Sequence, residues 1–153
     1  MNRQIRTVTL LATLGIVLLV AACGPAATPT PANSINSIQG TVWQWVSVTN
    51  QSTGEETSVR NPEKYTITFN ADGTLNGIAD CTTFNGSYSQ ENGLTILGAS
   101  TTAFCGVASL DQQYLALLTS VAAGGPDGTG GLALETAGGE QRMLFKNGGA
   151  AVK

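Results

Sequence analysis

From Gln39 onward, hydrophobic and polar positions alternate in short runs, and turn-forming residues separate the runs. A period of two between such interruptions predicts strands rather than helices. "TVWQWVSVT" (Thr41 to Thr49) is β-branched and aromatic, and apolar on both faces at its start. The polar stretch from Asn50 to Glu63 reads as a loop. In "KYTITF", Tyr65, Ile67 and Phe69 fall on one face and Thr66 and Thr68 on the other. "NADG" (Asn70 to Gly73) is a turn signal leading into "TLNGIA" as the hairpin partner. Its one acidic residue supplies too few ligands for calcium. "FNGSYS" and "LTILG" follow as strands joined by "QENG", and "LALE" and "QRMLF" form a hairpin across "TAGGE".

The period changes once, in "SLDQQYLALLTSVA". Ser109 stands three residues before Gln112, the spacing of a capping box, and Asp111 suits the positive end of a helix. Leu110, Tyr114, Leu117, Leu118 and Val121 make one apolar stripe at helical spacing. "GGPDGTGG" then breaks the helix. Gly124 to Gly131 lacks the lysine and the strand–loop–helix order of a phosphate loop, so it reads as a flexible connection. The expected fold is mainly β: an antiparallel partial barrel of about seven or eight short strands, curled to protect its edges and closed on one side by one amphipathic helix.

The N-terminus carries a different pattern. Arg3 and Arg6 precede an apolar run, Thr7 to Val20, of about 14 residues, short for a bilayer span but suited to an export signal. It ends in "VAAC", Val20 to Cys23. That order of a branched aliphatic, two small residues and a cysteine resembles the lipobox of bacterial lipoproteins. The resemblance implies removal of residues 1–22 and a diacylglyceryl group on Cys23, with the alternatives of an incidental cysteine or an uncleaved anchor. Two or three acyl chains hold a protein durably where one does not. Residues 23–38 then form a lipidated cysteine and a Pro/Ala/Thr-rich tether, whose prolines favour extended backbone. Residues 39–147 form the domain, and 148–153 a flexible tail.

Composition narrows the function. After removal of the signal, five basic residues face ten acidic ones, and the bases are scattered. Nucleic-acid binding is therefore not expected. There is no histidine to activate a thiol or serine, and no Ser-x-x-Lys or Gly-x-Ser-x-Gly motif. No catalytic residue, metal site or cofactor is expected, and Asp72, Asp80 and Glu91 read as solvated turn residues.

The spacing of Gly77, Cys81, Gly86, Tyr88, Thr101 and Cys105, followed by the helix from Ser109, resembles the META domain, also called HslJ-like. Upstream, Gly40 and Trp43 match the family's opening Gly-x-x-Trp strand, so the likeness covers about residues 39 to 147. It implies a mainly β, lipocalin-like barrel with a helix. It also implies links to heat stress and antibiotic tolerance in some relatives and to secretion or motility in others. Asp80 stands where the family has glycine, and Thr82 where it has asparagine.

With Cys23 lipidated, Cys81 and Cys105 form an even set. A zinc site needs four ligands, and an oxidising envelope makes a disulfide the simple outcome; two separate buried thiols are the alternative. Closing that loop is worth roughly 3–4 kcal/mol on the chain-entropy model.

The leading expectation is a non-enzymatic envelope lipoprotein serving envelope maintenance or stress tolerance. Its partners would be the membrane, through lipid, and an envelope protein or a small apolar ligand. Gly24 is not the aspartate that retains lipoproteins at an inner membrane, so the outer membrane is expected where two membranes exist, and the outer face of the plasma membrane otherwise. One alternative is a binding module that holds a small apolar ligand or extended peptide at the barrel mouth. Trp43, Trp45, Phe84, Tyr88 and Phe104 would line that site, or else fill the core. A weaker alternative is a protease inhibitor presenting Asn50 to Glu63.

Overall fold

The computed structural model describes residues 35–152; the signal, Cys23 and most of the tether lie outside the described residues. A 3-10 turn, Ile35–Ile38, leads into β1 (Thr41–Asn50), followed by β2 (Glu56–Ser58), β3 (Tyr65–Phe69), β4 (Thr74–Ala79), β5 (Thr82–Ser89) and β6 (Thr95–Leu97). After α1 (Asp111–Thr119) come β7 (Val121–Pro126), β8 (Leu132–Thr136) and β9 (Gln141–Ala150). All strand pairings are antiparallel, in the order β6-β5-β4-β3-β1-β9-β8-β7, with β2 paired to β1 off this path. The sheet curls into a nearly closed barrel. Among the described residues no ladder joins β6 to β7; the turn at Ile35–Ile38 lies against β7, and α1 against β6.

Period-two patterning explains the inside. Tyr65, Ile67 and Phe69 of β3 and Leu75 and Ala79 of β4 all face inward and are buried. At the centre stands Tyr114, delivered by α1 and fully buried. Its ring stacks on Trp45 with centroids 5.1 Å apart. Tyr65 meets it edge-on at 5.7 Å, Phe84 at 6.1 Å, and Phe145 lies tilted at 6.4 Å. Each such ring pair adds about 0.5–1.5 kcal/mol beyond burial. The barrel interior is therefore a packed core.

The motif residues serve this packing. Gly77 faces inward, where a Cβ would collide with the Thr66 carbonyl oxygen and the Phe84 ring; at Gly86 it would collide with the Leu97 carbonyl oxygen. The Tyr88 hydroxyl donates to the Asn70 carbonyl at 2.6 Å and accepts from Gln39 Nε2 at 2.7 Å, tying the domain's start to the β3–β4 turn. Trp43 Nε1 donates to the Ile38 carbonyl at 2.9 Å.

Several expectations need correcting. The expected loop from Asn50 to Glu63 contains β2 and a 3-10 turn at Pro62–Lys64. The "flexible" glycines are partly β7. Gly124 sits so close to β8 that a Cβ would meet Leu134 Cδ2 at 2.5 Å, so the strand needs glycine for contact rather than for freedom. Beyond it, Asp127 Oδ1 accepts from the amides of Thr129 and Gly131 and orders the turn. The expected tail is strand as far as Ala150, paired with Thr41. The tether's last residues form the turn at Ile35–Ile38, and Ile38 is buried because it caps the core. Helix α1 ends at Thr119, so Val121 belongs to β7, and Leu115 joins the buried face instead.

Candidate functional site

The barrel end beside the β4–β5 turn gathers more polar chemistry than any other part of the sequence-derived motif. Asp80 opens that turn with φ +58°, in the left-handed region where glycine is favoured. This accounts for the glycine expected there. Asp80 tolerates the conformation because its neighbours hold it: its amide donates to the Lys64 carbonyl at 2.7 Å, and Lys64 Nζ donates to its Oδ1 at 3.0 Å. Hydrogen bonding from the Ser109 hydroxyl, then the Lys64 ammonium, keeps the Asp80 carboxyl below its ordinary range.

Cys81 follows directly and is bonded to Cys105, with Cα atoms 5.6 Å apart. The thiols are therefore paired, and the alternative of two separate buried thiols falls. Residues 98–110 carry no strand or helix, yet they are braced at several points. Besides the disulfide, the Cys105 amide donates to Asp111 Oδ2 at 3.1 Å, and the Ala103 amide to Thr101 Oγ1 at 3.1 Å. The Leu110 amide donates to the Tyr65 hydroxyl at 3.0 Å, and the Gln112 side chain to the Ala103 carbonyl at 3.4 Å. Thr82 stands with its hydroxyl 3.4 Å from that of Thr101.

Asp111 is 1% exposed. Burial alone would raise its pKa, but the amides of Cys105 and Gln112 outweigh burial and hold the carboxyl below its ordinary value. The expected capping box does not form: the helix starts at Asp111 with Leu110, not Ser109, at the N-cap and no side-chain cap there. Ser109 Oγ accepts from the Asp111 amide at 3.1 Å, and the Gln112 side chain donates to the Ala103 carbonyl instead.

Ser109 beside Asp80 and Lys64 carries the residue types of a catalytic group, with the Asp80 carboxyl held in its charged form by both neighbours. A carboxyl held low by an ammonium and a hydroxyl is a weak base at neutral pH. The arrangement fastens a loop.

Of the five aromatics proposed to line a ligand site, Trp43, Trp45, Phe84 and Tyr88 are buried in the core. Phe104 is the exception and a correction of another kind: it is 68% exposed, on the outer side of the braced loop, with Val107 at 98% nearby. Cys105, tied to Cys81, is half-buried between them. Lys64 and Asp111 were not singled out as site residues; the salt bridge spans 16 residues and Asp111 bonds a loop amide, contacts with no local signal.

A family model for the META domain matches residues 36–149. The chain belongs to the META-domain family. Its META domain is also similar in fold to two solved structures. One is the NMR structure of a protein from Burkholderia xenovorans, with TM-score 0.59 and 20% identity, covering 81% of this chain and 94% of that one. The other is the crystal structure of a DUF4847 family protein from Bacteroides vulgatus, with TM-score 0.54 and 16% identity, covering 72% and 94% respectively. Among curated proteins no sequence matches the chain. Among the described residues no helix of the META domain is long and apolar enough to cross a membrane.

Proposed function

We propose that this chain is an exported lipoprotein, anchored by acyl chains on Cys23, whose META domain acts without catalysis as a disulfide-braced module in envelope maintenance or stress tolerance. The observation that carries the non-catalytic, non-transport reading is the filled barrel: Tyr114 and the rings of Trp45, Tyr65, Phe84 and Phe145 occupy the space a barrel-mouth ligand would need. What the domain offers is surface. Phe104 and Val107, exposed on the loop that the Cys81–Cys105 bond braces, form the apolar contact for an envelope protein. A disulfide suits an oxidising compartment and agrees with export.

The test is Cys23→Ser, followed by cell fractionation and by metabolic labelling with palmitate. The native chain is expected in membranes and labelled, and Cys23→Ser unlabelled and released. A native chain that takes up no label, or a Cys23→Ser chain that stays in membranes through residues 1–22, would overturn the anchor.

A further inference from the structure

The sequence holds four Asn-Gly steps: Asn76–Gly77, Asn85–Gly86, Asn92–Gly93 and Asn147–Gly148. At such a step the backbone can attack its own side chain, because a glycine without Cβ leaves its amide nitrogen open to the preceding Asn Cγ. The attack also needs a backbone free to turn, so the fold decides which step reacts.

Three of the four are held. Gly77 pairs with Phe84 and Gly86 with Leu75 inside the β4–β5 ladder, and Asn76 Oδ1 accepts from Asn70 Nδ2 at 3.2 Å. Asn147 pairs with Trp43 of β1, its Oδ1 accepts from the Gly149 amide at 2.7 Å, and Gly148 lies tight against the Gln44 side chain. Asn92 differs. It stands with Gly93 in the exposed turn between β5 and β6, outside every strand. Among the described residues, neither its side chain nor the Gly93 amide makes a hydrogen bond.

The surroundings of this turn give the reaction a structural consequence. No ladder joins β6 to β7, and the two edges meet by packing. The two residues after Asn92 take part in that packing. Gly93 lies so close to β7 that a Cβ there would strike the Ala122 carbonyl oxygen. Leu94 is buried and reaches β7 at Gly124, where a Cβ would meet Leu94 Cδ2 at 3.2 Å.

We infer that Asn92 is a site of spontaneous deamidation and that its isoaspartyl product loosens the seam between β6 and β7. The Gly93 amide nitrogen, giving up its proton, bonds to Asn92 Cγ; the Cγ–Nδ2 bond breaks and ammonia leaves, which closes a succinimide ring. Water then opens the ring at either carbonyl. Opening at Cγ leaves an aspartyl residue, whereas opening at the main-chain carbonyl leaves an isoaspartyl residue whose backbone is one carbon longer. Both products carry a new negative charge, but only the longer backbone shifts Gly93 and Leu94 against β7. The reaction needs no enzyme and is independent of the anchor on Cys23.

The experiment ages the full chain in detergent at mildly alkaline pH and maps its peptides by mass spectrometry, with fragmentation that separates aspartyl from isoaspartyl. In the native chain Asn92 should convert roughly tenfold or more faster than Asn76, Asn85 or Asn147, and in urea the four rates should converge. The isoaspartyl form, resolved by chromatography, is then compared by hydrogen exchange with Asn92→Asp, which carries the charge on a backbone of normal length. Amides of β6 and β7 should exchange roughly tenfold faster in the isoaspartyl form, with the β3–β4 hairpin unchanged. An aged Asn92→Gln chain should show neither the modification nor the faster exchange. Conversion first at another Asn-Gly step, equal resistance of all four in the native chain, or an isoaspartyl form that exchanges no faster than Asn92→Asp would each overturn the inference.

Discussion

Replacing Tyr114 by Phe should make this protein more stable. The Tyr114 hydroxyl is the only buried side-chain polar atom without a hydrogen-bond partner among the described residues, and burial pushes its pKa well above the ordinary value. An unbonded buried hydroxyl costs about 1–3 kcal/mol. Against that gain stands the void left by one oxygen, about 15 Å³, which at about 24 cal/mol per Å³ costs roughly 0.4 kcal/mol. The ring, and with it the stack on Trp45, stays in place. The net expectation is a gain of about 1–2 kcal/mol. At about 2.1 cal/mol/K per residue, a domain of this size has an unfolding entropy near 0.25 kcal/mol/K, so the melting temperature should rise by about 4–8 °C. Calorimetry gives that temperature, and urea unfolding gives the free energy with an unchanged m-value. A Phe variant that melts lower with the same m-value would refute the reasoning, because the hydroxyl would then have a partner and the barrel centre would not be dry.

Two further outcomes follow from the braced end. Replacing Cys81 and Cys105 together by Ala should cost about 3.5 kcal/mol on the chain-entropy model and lower the melting temperature by roughly 10 °C or more; a loss under about 1 kcal/mol would mean that the hydrogen bonds to Asp111 and Thr101 hold the loop alone. For Asp111, the folded carboxyl titrates below its ordinary value, whereas the unfolded one titrates near pH 3.9. The unfolded state thus binds more protons in that window, so the stabilisation is complete above about pH 5 and is lost as pH falls through the folded value. Asp111→Asn should cost about 1–3 kcal/mol at neutral pH and flatten the decline below about pH 4, read from urea midpoints across that range; an unchanged acid limb would count against it.

The barrel was legible in the sequence because its strands obey alternation: "KYTITF" and "TLNGIA" form β3 and β4 as patterned, with Asn70 to Gly73 between them. What escaped had no such signature. Strand β2 is three polar or half-buried residues that exist as strand only because β1 offers them an edge. Strand β7 is written in alanine and glycine, which read as flexibility until the closeness of β8 is known. The same limit governs the site. The cysteine pair could be found by counting, whereas the bond from the Cys105 amide to Asp111 depends on how a loop without repeating structure closes. Aromatic residues pulled the other way: Phe104 looks like Phe84 by type, but Phe84 is turned inward by the alternation of β5 whereas Phe104 lies in a loop without repeating structure and is exposed.

The pairing of β1 with β9 joins nearly the first and last residues of the domain, Thr41 with Ala150. Strand β1 therefore waits about a hundred residues for the strand on its other side, a long-range closure that is slow relative to the local meander from β3 to β6. Until β9 docks, the domain has an open seam along β1, the strand that carries both tryptophans.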